Sequence, residues 1–404
     1  MGNDKLSSYF KGFAWKRLSV VEADINRSHQ HEFNGVTGLK KLFGTRKKKL
    51  KSQFLYLGDN EEYTVKNIAG NLTWYDARAR NSTGANRSEY RMYFEENRVT
   101  GASKAGDLLL IGQRDRQAML IIVAKAGSTS ERQIAWLFGI ENEDGKKFDV
   151  EQISGKKNVR LDYISRLILE ELGIEAQPKA DNFLDIILNK FGAKFPATNI
   201  FSQFARDTAG DIDCKGNPDA ALIGWMDHEE RLFRTLEHHI VAGDMKKGFG
   251  EDVDGTMKYF LQVQNRRKAR AGKALENHLE HLFKQNDIQF ARNRVTENNS
   301  KPDFIFPGIT EYKDSGFPAL RLSMLGVKTT CKDRWRQVLA EAERIREKHL
   351  FTLEPAISRN QTDEMKANRL QLVIPFSLFR TYTAPQQKQL MSLNQFIELV
   401  RGRQ

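Results

Sequence analysis

Four side chains in the second half of the chain have the chemical types needed to hydrolyse a phosphodiester. They are Glu276, Asp303, Lys328 and Glu341. Carboxylate oxygens are the ligands that magnesium (Mg²⁺) prefers, and bound Mg²⁺ activates water and neutralises charge on a phosphate. A neighbouring lysine can stabilise the charge that develops on the phosphate or orient the attacking water. The set predicts a magnesium-dependent nuclease site in which Asp303 and Glu341 bind the metal.

The central pair of this set lies at the ends of two apolar segments. Asp303 begins one predicted strand, and Lys328 ends another. Taken singly, each has an ordinary interpretation, since Pro-Asp pairs are common in turns and a lysine at a strand end is usually solvated. The usual nuclease pattern places a second acid two residues before the lysine, but that position is Gly326. The second acid must therefore come from elsewhere.

Glu341 is expected to supply that acid from a long helix over residues 335–349. At about 100° per residue it falls on the stripe marked by Val338, Ala342 and Ile345, so its carboxylate should point inward. A buried carboxylate without a partner is costly, and an inward glutamate therefore needs a metal ion or a cation. A salt bridge to an arginine is the structural alternative.

The fourth acid is expected on a helix over residues 271–283. Glu276 aligns with Leu279 and Phe283 on the inner edge of this amphipathic segment. Glu280 has the spacing to replace it. Glu276 is the candidate, and its direct contact with metal is left open.

The pattern along the 404 residues predicts two domains. The first, residues 1–173, is β-rich, with short predicted strands and one helix: 53–57, 89–94, 107–111, 118–124 and the helix 161–172. Residues 174–181, with Pro178, are the predicted linker. The second, residues 182–404, has an α/β pattern, with strands within 302–328 and at 370–374 between helices at 183–191, 227–241, 253–263, 271–283, 335–349 and 393–400.

Composition favours an ordered protein with a polyanionic partner. The chain is 40% hydrophobic, and 64 basic residues against 52 acidic ones give a net charge of +12. Its two cysteines, Cys214 and Cys331, are too few for a disulfide framework or a four-thiolate zinc site. No segment has the roughly 20 apolar residues that a membrane span requires. The sequence therefore predicts a cytoplasmic protein without membrane contact.

Several segments of the second half closely resemble the catalytic domain of the EcoRII restriction endonuclease family. They are Asn265–Lys273, Leu275–Glu276, Lys301–Phe304 and Val327–Gln337. The resemblance extends from about Lys246 to the end of the chain. It implies a restriction-endonuclease-like α/β domain whose metal-dependent active site is formed by Glu276, Asp303, Lys328 and Glu341. The displaced glutamate is shared with related enzymes such as PspGI.

The three residues Lys332, Asp333 and Arg334 come shortly after the predicted catalytic lysine. A cation paired with an acid can read a G·C pair, and the resemblance implies that this triplet contacts the outer C·G pairs of a CC…GG target. The alternative is a charged loop in which Asp333 caps a helix beginning near Trp335. A dense basic segment further upstream is suited to phosphate contacts, and its candidates are Arg266, Arg267 and Arg270.

The first half resembles, less closely, the effector-binding domain of the same family, a β-barrel-like pseudobarrel of the plant B3 type. The segments that carry this are Lys16–Ser19, Ser28–His31, Trp74–Arg78 and Asn86–Arg91. The implied DNA contacts are His29, Gln30, Arg78, Arg87, Glu89 and Arg91. On a strand, Arg87, Glu89 and Arg91 share one face. Asn34 and Tyr90 differ from the family pattern, which leaves the effector sequence open.

Together these features predict a type II (IIE-like) restriction endonuclease. The resemblance implies a homodimer that cuts double-stranded DNA at a short symmetric CCWGG-like site, is activated by a second copy of the site at its amino-terminal domain, and acts beside a cognate DNA methyltransferase. Two other functions stay open. One is a structure-specific repair or junction nuclease, and the other is a DNA-binding regulator on an inactive nuclease fold.

Overall fold

The computed structural model divides the chain into two compact units, residues 1–176 with 356–358, and residues 177–355 with 359–404. It describes residues 5–23, 31–33, 36–58, 64–78, 88–115, 117–140, 145, 147–153, 161–174, 183–250, 252–331 and 334–404. The predicted linker, residues 174–181, lies outside the described residues except for Ile174. The domain boundaries therefore stay a prediction.

The first unit is built on eight strands: β1 Gly12–Arg17, β2 Glu32–Phe33, β3 Lys48–Leu57, β4 Val65–Asp76, β5 Tyr90–Phe94, β6 Leu108–Gln113, β7 Ala118–Ala124 and β8 Asp149–Gln152. They form one sheet in the order β2-β5-β4-β3-β7-β6-β1-β8. All neighbours are antiparallel except β3 and β7. The predicted hairpin is confirmed, because Leu108 pairs with Ala124 and Gln113 with Met119.

Both faces of the central strands are covered by apolar side chains. Along β6, Leu108 and Leu110 belong to one buried cluster, whereas Leu109 and Ile111 belong to the other. This follows from the two-residue period of a strand, which sends successive side chains to opposite faces. Its described residues also form five α-helices: α1 Val20–Ala23, α2 Lys40–Phe43, α3 Arg98–Ala102, α4 Thr129–Phe138 and α5 Tyr163–Glu171. The predicted β-rich character and the predicted last helix are confirmed.

The second unit contains nine helices among the residues described: α6 Leu184–Phe191, α7 Thr198–Thr208, α8 Pro218–Lys247, α9 Val253–Gln285, α10 Ile309–Lys313, α11 Arg336–Leu339, α12 Arg359–Ala367, α13 Ala384–Gln387 and α14 Leu393–Arg403. The two helices predicted at 253–263 and 271–283 are one continuous helix of 33 residues. Gly272 does not interrupt it, because one glycine costs a helix only about 1 kcal/mol. Of the helices described in either unit, none has the length and apolar content to cross a bilayer.

The sheet of the second unit has five strands: β9 Ala291–Arg292, β10 Phe304–Phe306, β11 Ser323–Lys328, β12 Lys348–Thr352 and β13 Leu370–Val373. Their order is β13-β12-β11-β10-β9. Strands β11, β12 and β13 are parallel, whereas β9 and β10 are antiparallel to their neighbours. The mixed sheet with its helices confirms the predicted α/β class.

The long helix predicted over residues 335–349 is wrong. Helix α11 ends at Leu339, and Ala342 has a positive φ of 48° that no α-helix permits. The chain then enters β12, which lies between β11 and β13. Val338, Ala342 and Ile345 are nevertheless all buried. The inward positions were therefore identified correctly, but a helix followed by a turn produces them.

Candidate active site

Two adjacent antiparallel strands bring Asp303 to Lys328. Phe304 of β10 pairs with Leu325 of β11, so the residue before β10 lies beside the end of β11. The Asp303 Oδ2 atom accepts a hydrogen bond of 2.7 Å from the Val327 N–H and lies 3.6 Å from Lys328 Nζ. The strand register therefore brings Asp303 and Lys328 together. From the sequence, this pair was predicted only because each residue lies at the end of an apolar strand.

Steric crowding explains why position 326 is a glycine and not the usual acid. A Cβ atom built at this position would lie 2.8 Å from Val338 Cγ2 on α11, which is closer than side-chain carbon atoms approach one another. Any larger side chain would require Val338 or its surroundings to shift. The second acid must therefore reach the site from another element.

Glu341 reaches the site from the turn that follows α11. Burial raises the pKa of its carboxyl, the negative charge of Asp303 raises it further, and Lys328 and Lys348 lower it. Its Oε2 atom is buried and, among the described residues, has no hydrogen-bond partner. The alternative of an arginine salt bridge is not realised in the described part of the chain. This carboxylate instead shares the surroundings of Asp303 and Lys328.

The pKa of the Asp303 carboxyl is raised in the same way as that of Glu341. Burial raises the pKa of its carboxyl most, Lys328 and the Val327 N–H lower it, and Glu276 raises it again. The Asp303 carboxylate therefore interacts electrostatically with Glu276, Glu341 and the ammonium group of Lys328 in a partly desolvated space. The pKa values of Asp303 and Glu341 stay raised although Lys328 lowers both, and a divalent cation would stabilise their ionised forms.

Glu276 projects from α9 and is held by Arg292 of β9. The Arg292 Nη2 atom lies 2.7 Å from Glu276 Oε2, and Nη1 donates to Glu280 Oε2 at 2.5 Å and to Asn277 Oδ1 at 3.1 Å. Glu276, rather than Glu280, is the acid whose charge acts on Asp303. Arg292 was missed from sequence, because its partner is 16 positions away on a different element.

The carboxylates of Asp303 and Glu341 could together hold a divalent metal ion. No group of three or more His, Cys, Asp or Glu side chains in the described ranges is arranged to hold a metal ion. Mg²⁺ characteristically takes one or two carboxylates and keeps several waters. Asp303 and Glu341 supply two carboxylates, one of which has a buried oxygen without a partner.

The structure places only one residue of the predicted recognition triplet, because Lys332 and Asp333 lie outside the described residues. Arg334 is exposed, and its backbone N–H donates to the Cys331 carbonyl at 2.8 Å. Its Nη2 atom donates to Thr330 Oγ1 at 3.3 Å. Cys331 is fully buried, so the start of this segment is anchored in the core while the guanidinium faces outward.

The basic segment of α9 has partners inside the protein. Arg270 is only 8% exposed, its Nη1 atom donates to the Pro196 carbonyl at 3.1 Å, and its guanidinium lies over the rings of Phe201 and Phe233. The burial of Arg270 argues against the predicted DNA contact, because its guanidinium packs in the helical core.

The two neighbouring arginines are only partly buried. Arg267 Nε donates to Glu237 Oε2 at 2.6 Å, and the Arg266 guanidinium lies 4.3 Å from the Phe195 ring centroid. Both contacts hold the side chains against other parts of the same unit. A DNA-contacting role for Arg266 and Arg267 stays a prediction.

Charged side chains on or next to β4, β5 and β2 in the first unit form a network. Arg78 Nε lies 2.7 Å from Glu89 Oε2, and Arg91 contacts Glu89 Oε1 at 2.7 Å and Glu32 Oε2 at 3.0 Å. Hydrogen bonds from Arg91 and Arg78 lower the pKa of Glu89. The predicted shared face of Glu89 and Arg91 is confirmed by their contact.

Three further effector candidates, His29, Gln30 and Arg87, lie outside the described residues. Tyr90, which departs from the family pattern, stacks on Trp74 with ring centroids 4.8 Å apart. Its hydroxyl donates to the Thr45 carbonyl at 3.0 Å. Tyr90 therefore packs locally beside the network of Arg78, Glu89 and Arg91.

Comparison with known proteins finds relatives of the second half of the chain. Residues 233–397 match a family model described as EcoRII C terminal. A region of 231 residues is 40% identical to the type II restriction enzyme EcoRII of Escherichia coli. It covers 57% of this chain and 56% of the relative, so the match spans little more than half the length of either protein. The resemblance seen in the sequence is confirmed for this region.

Two solved structures are similar in part. One is metal-depleted Ecl18kI in complex with uncleaved DNA, with 18% identity, a TM-score of 0.43, and coverage of 55% of this chain and 83% of that one. The other is a PspGI–substrate DNA complex, with 14% identity, a TM-score of 0.41, and coverage of 52% and 93%. Both overall likenesses are low.

Proposed function

We propose that this protein is a type II restriction endonuclease that cuts both strands of DNA in the presence of Mg²⁺, because residues 233–397 match the EcoRII C-terminal family model and 231 residues are 40% identical to EcoRII. The observation that carries the proposal is the convergence of Asp303, Lys328 and Glu341 from three separate elements. The negative charge of Glu276 raises the pKa of Asp303, so Glu276 contributes to the electrostatics of these three residues. The proposed domain has a restriction-endonuclease-like fold, supported by its mixed five-stranded sheet.

Asp303 and Glu341 would hold the metal, which when bound neutralises charge on the scissile phosphate and makes water a better nucleophile. Both carboxyls have raised pKa values in its absence, so the cation and protons compete for the same oxygens. Lys328, 3.6 Å from Asp303 Oδ2, is placed to donate a hydrogen bond to a phosphate oxygen as negative charge grows there. The Val327 N–H fixes one Asp303 oxygen and thereby orients the other.

The proposed target is a short symmetric CC…GG site of the CCWGG type. The exposed Arg334, with Lys332 and Asp333, would read the outer C·G pairs, the cations donating to guanine and the carboxylate accepting from cytosine. Anchoring by the buried Cys331 supports this role, because a recognition side chain gains selectivity when its backbone is fixed.

The proposed role of the first unit is to bind a second copy of the site and so activate cleavage. The contacting residues would be His29, Gln30, Arg78, Arg87, Glu89 and Arg91, three of which form the described network. A B3-type pseudobarrel is proposed for this unit and is supported by its β-rich sheet, whose central strands are covered on both faces. The enzyme would act in the cytoplasm as a homodimer beside a cognate DNA methyltransferase.

The test is digestion of a sequenced plasmid that contains several CCWGG sites, with Mg²⁺ and with EDTA. Discrete fragments whose ends map to those sites, formed only with Mg²⁺, are expected. A plasmid with the sites removed is the matched control. Cutting of branched DNA without sequence preference would instead identify a junction nuclease, and binding without cutting would identify a regulator. Either result would contradict the proposal.

A further inference from the structure

The first turns of α9 expose four large apolar side chains. Val253 is 71% exposed, Met257 68%, Phe260 38% and Leu261 57%. Their spacing of four, seven and eight residues from Val253 puts them on one face of the helix. We call these four residues the apolar stripe. Soluble proteins rarely leave a contiguous apolar patch uncovered, and such patches mark interaction sites.

One member of the apolar stripe, Phe260, packs against neighbouring aromatic rings. The ring of Phe260 packs against those of Phe249 and Tyr259, with centroids 6.2 and 5.6 Å apart. The Tyr259 hydroxyl also donates to Asp244 Oδ2 on α8 at 3.0 Å. The next residue of α8, Met245, is itself 56% exposed. The ring of Phe260 is therefore anchored beside α8, and Met245 adds an exposed apolar side chain in the neighbouring helix.

We propose that the apolar stripe joins two copies of this chain, with the two helices packed antiparallel about a two-fold axis at Met257. In that arrangement Met257 meets Met257 of the partner subunit, and Val253 meets Leu261 of the partner subunit. The stripe is thus complementary to itself, as a two-fold interface requires. An apolar centre with a charged rim is the usual composition of such an interface.

The charges beside the stripe fit the same arrangement. At about 100° per residue, Asp254 lies about 60° and Lys258 about 100° from Met257, on the same flank. Antiparallel helices place equal flanks side by side, so Asp254 would face Lys258 of the partner subunit, twice per dimer. Both residues are exposed. DNA is a poor occupant, because Asp252 and Asp254 would repel phosphates at the start of this helix.

This inference deepens the proposed function, because it supplies the contact between the two copies that would each cut one strand. Its test measures the oligomeric state and not cleavage, so the dimer interface and the proposed nuclease function can fail separately. The mass of the full-length protein in solution is measured by sedimentation at micromolar concentration for the wild type, Met257→Asp and Leu320→Asp. Leu320 is 89% exposed in the same unit, outside the stripe, and its variant is the matched control. The wild type and L320D should be dimers, and M257D a monomer with an unchanged circular-dichroism spectrum and Tm.

A charge exchange provides the second arm. Asp254→Lys and Lys258→Asp should each raise the dimer dissociation constant several-fold, because each places like charges opposite one another. The double variant D254K/K258D should restore the wild-type dissociation constant. The inference is overturned if the wild type is a monomer, if folded M257D remains a dimer, or if the double variant is weaker than both single ones.

Discussion

The Asp303 carboxylate accepts a hydrogen bond of 2.7 Å from the N–H of Val327 and lies 3.6 Å from Lys328 Nζ. A single strand end therefore supplies both the backbone donor that fixes the acid and the cation that compensates it. Burial and the nearby acids oppose this compensation and raise the pKa of Asp303. The Asp303 carboxylate is thus fixed in position, and the acids around it still favour the binding of a further cation.

The raised pKa values of Asp303 and Glu341 predict a cost in stability that Mg²⁺ removes. A carboxyl whose pKa is raised on folding stabilises the native state below its ordinary pKa, and that stabilisation is lost as pH rises through the raised value. In EDTA at neutral pH, Asp303→Asn and Glu341→Gln should therefore unfold at a higher temperature than the wild type. Thermal melts from acidic to neutral pH measure this.

The same melts with Mg²⁺ provide the control. Magnesium should raise the Tm of the wild type and have little effect on D303N or E341Q, because each variant lacks one of the two proposed metal ligands. Equal stabilisation of all three proteins would place the metal elsewhere. Lower stability of both variants in EDTA would contradict the assigned cause of the pKa shifts.

Arg292 is predicted to position Glu276. Arg292→Gln frees the Glu276 carboxylate from its 2.7 Å ion pair and should raise the Mg²⁺ concentration needed for half-maximal cleavage, whereas Arg292→Lys should lose less. Glu280→Gln is the matched control, since it removes the other carboxylate on the same guanidinium. In an Arg292→Gln/Glu276→Gln double variant the two losses should not add. Additive losses would mean that the residues act independently.

Arg334 is predicted to read an outer C·G pair. Arg334→Ala should cost about 1 to 3 kcal/mol of discrimination against a changed outer pair, measured as the ratio of cleavage rates on matched and altered duplexes. Arg336→Ala is the control, because Arg336 is also exposed but is paired with Glu364 at 2.7 Å. An unchanged ratio for R334A, or equal relaxation in R336A, would assign recognition to other residues.

Removal of residues 1–178 is predicted to raise cleavage of DNA that carries a single site. If the first unit restrains the second until it binds a further copy of the site, its loss should remove that requirement. Initial rates on one-site and two-site plasmids of equal length measure the effect. A truncated protein that is folded by circular dichroism yet no more active on the one-site plasmid would argue against such restraint.

The sequence predicted the parts of the site that are encoded locally. Asp303 and Lys328 stand at the ends of apolar strands, which are visible without a structure. The helix over 335–349 failed because Val338, Ala342 and Ile345 are buried at helical spacing although the chain turns at Ala342. The start of the fully buried strand β12 was assigned to that helix, because the pattern of a short apolar segment does not distinguish a strand from a helix.

The other errors come from contacts between distant parts of the chain. Arg270 looks like a DNA-binding residue until Phe201 and Phe233 enclose its guanidinium. Arg292 has no local signal, because its role depends on α9 lying beside β9. The reason for Gly326 is equally remote, since Val338 leaves no room for a side chain there. Such constraints are set by packing and have no periodic signature.

The central claim is that Asp303, Lys328 and Glu341 act together on DNA, and single-turnover cleavage by Lys328→Ala tests it most directly. With Mg²⁺ and a CCWGG duplex, the variant should cut at least about 100-fold more slowly than the wild type. Its affinity for the duplex without metal should change little. Cleavage at the wild-type rate would contradict the claim.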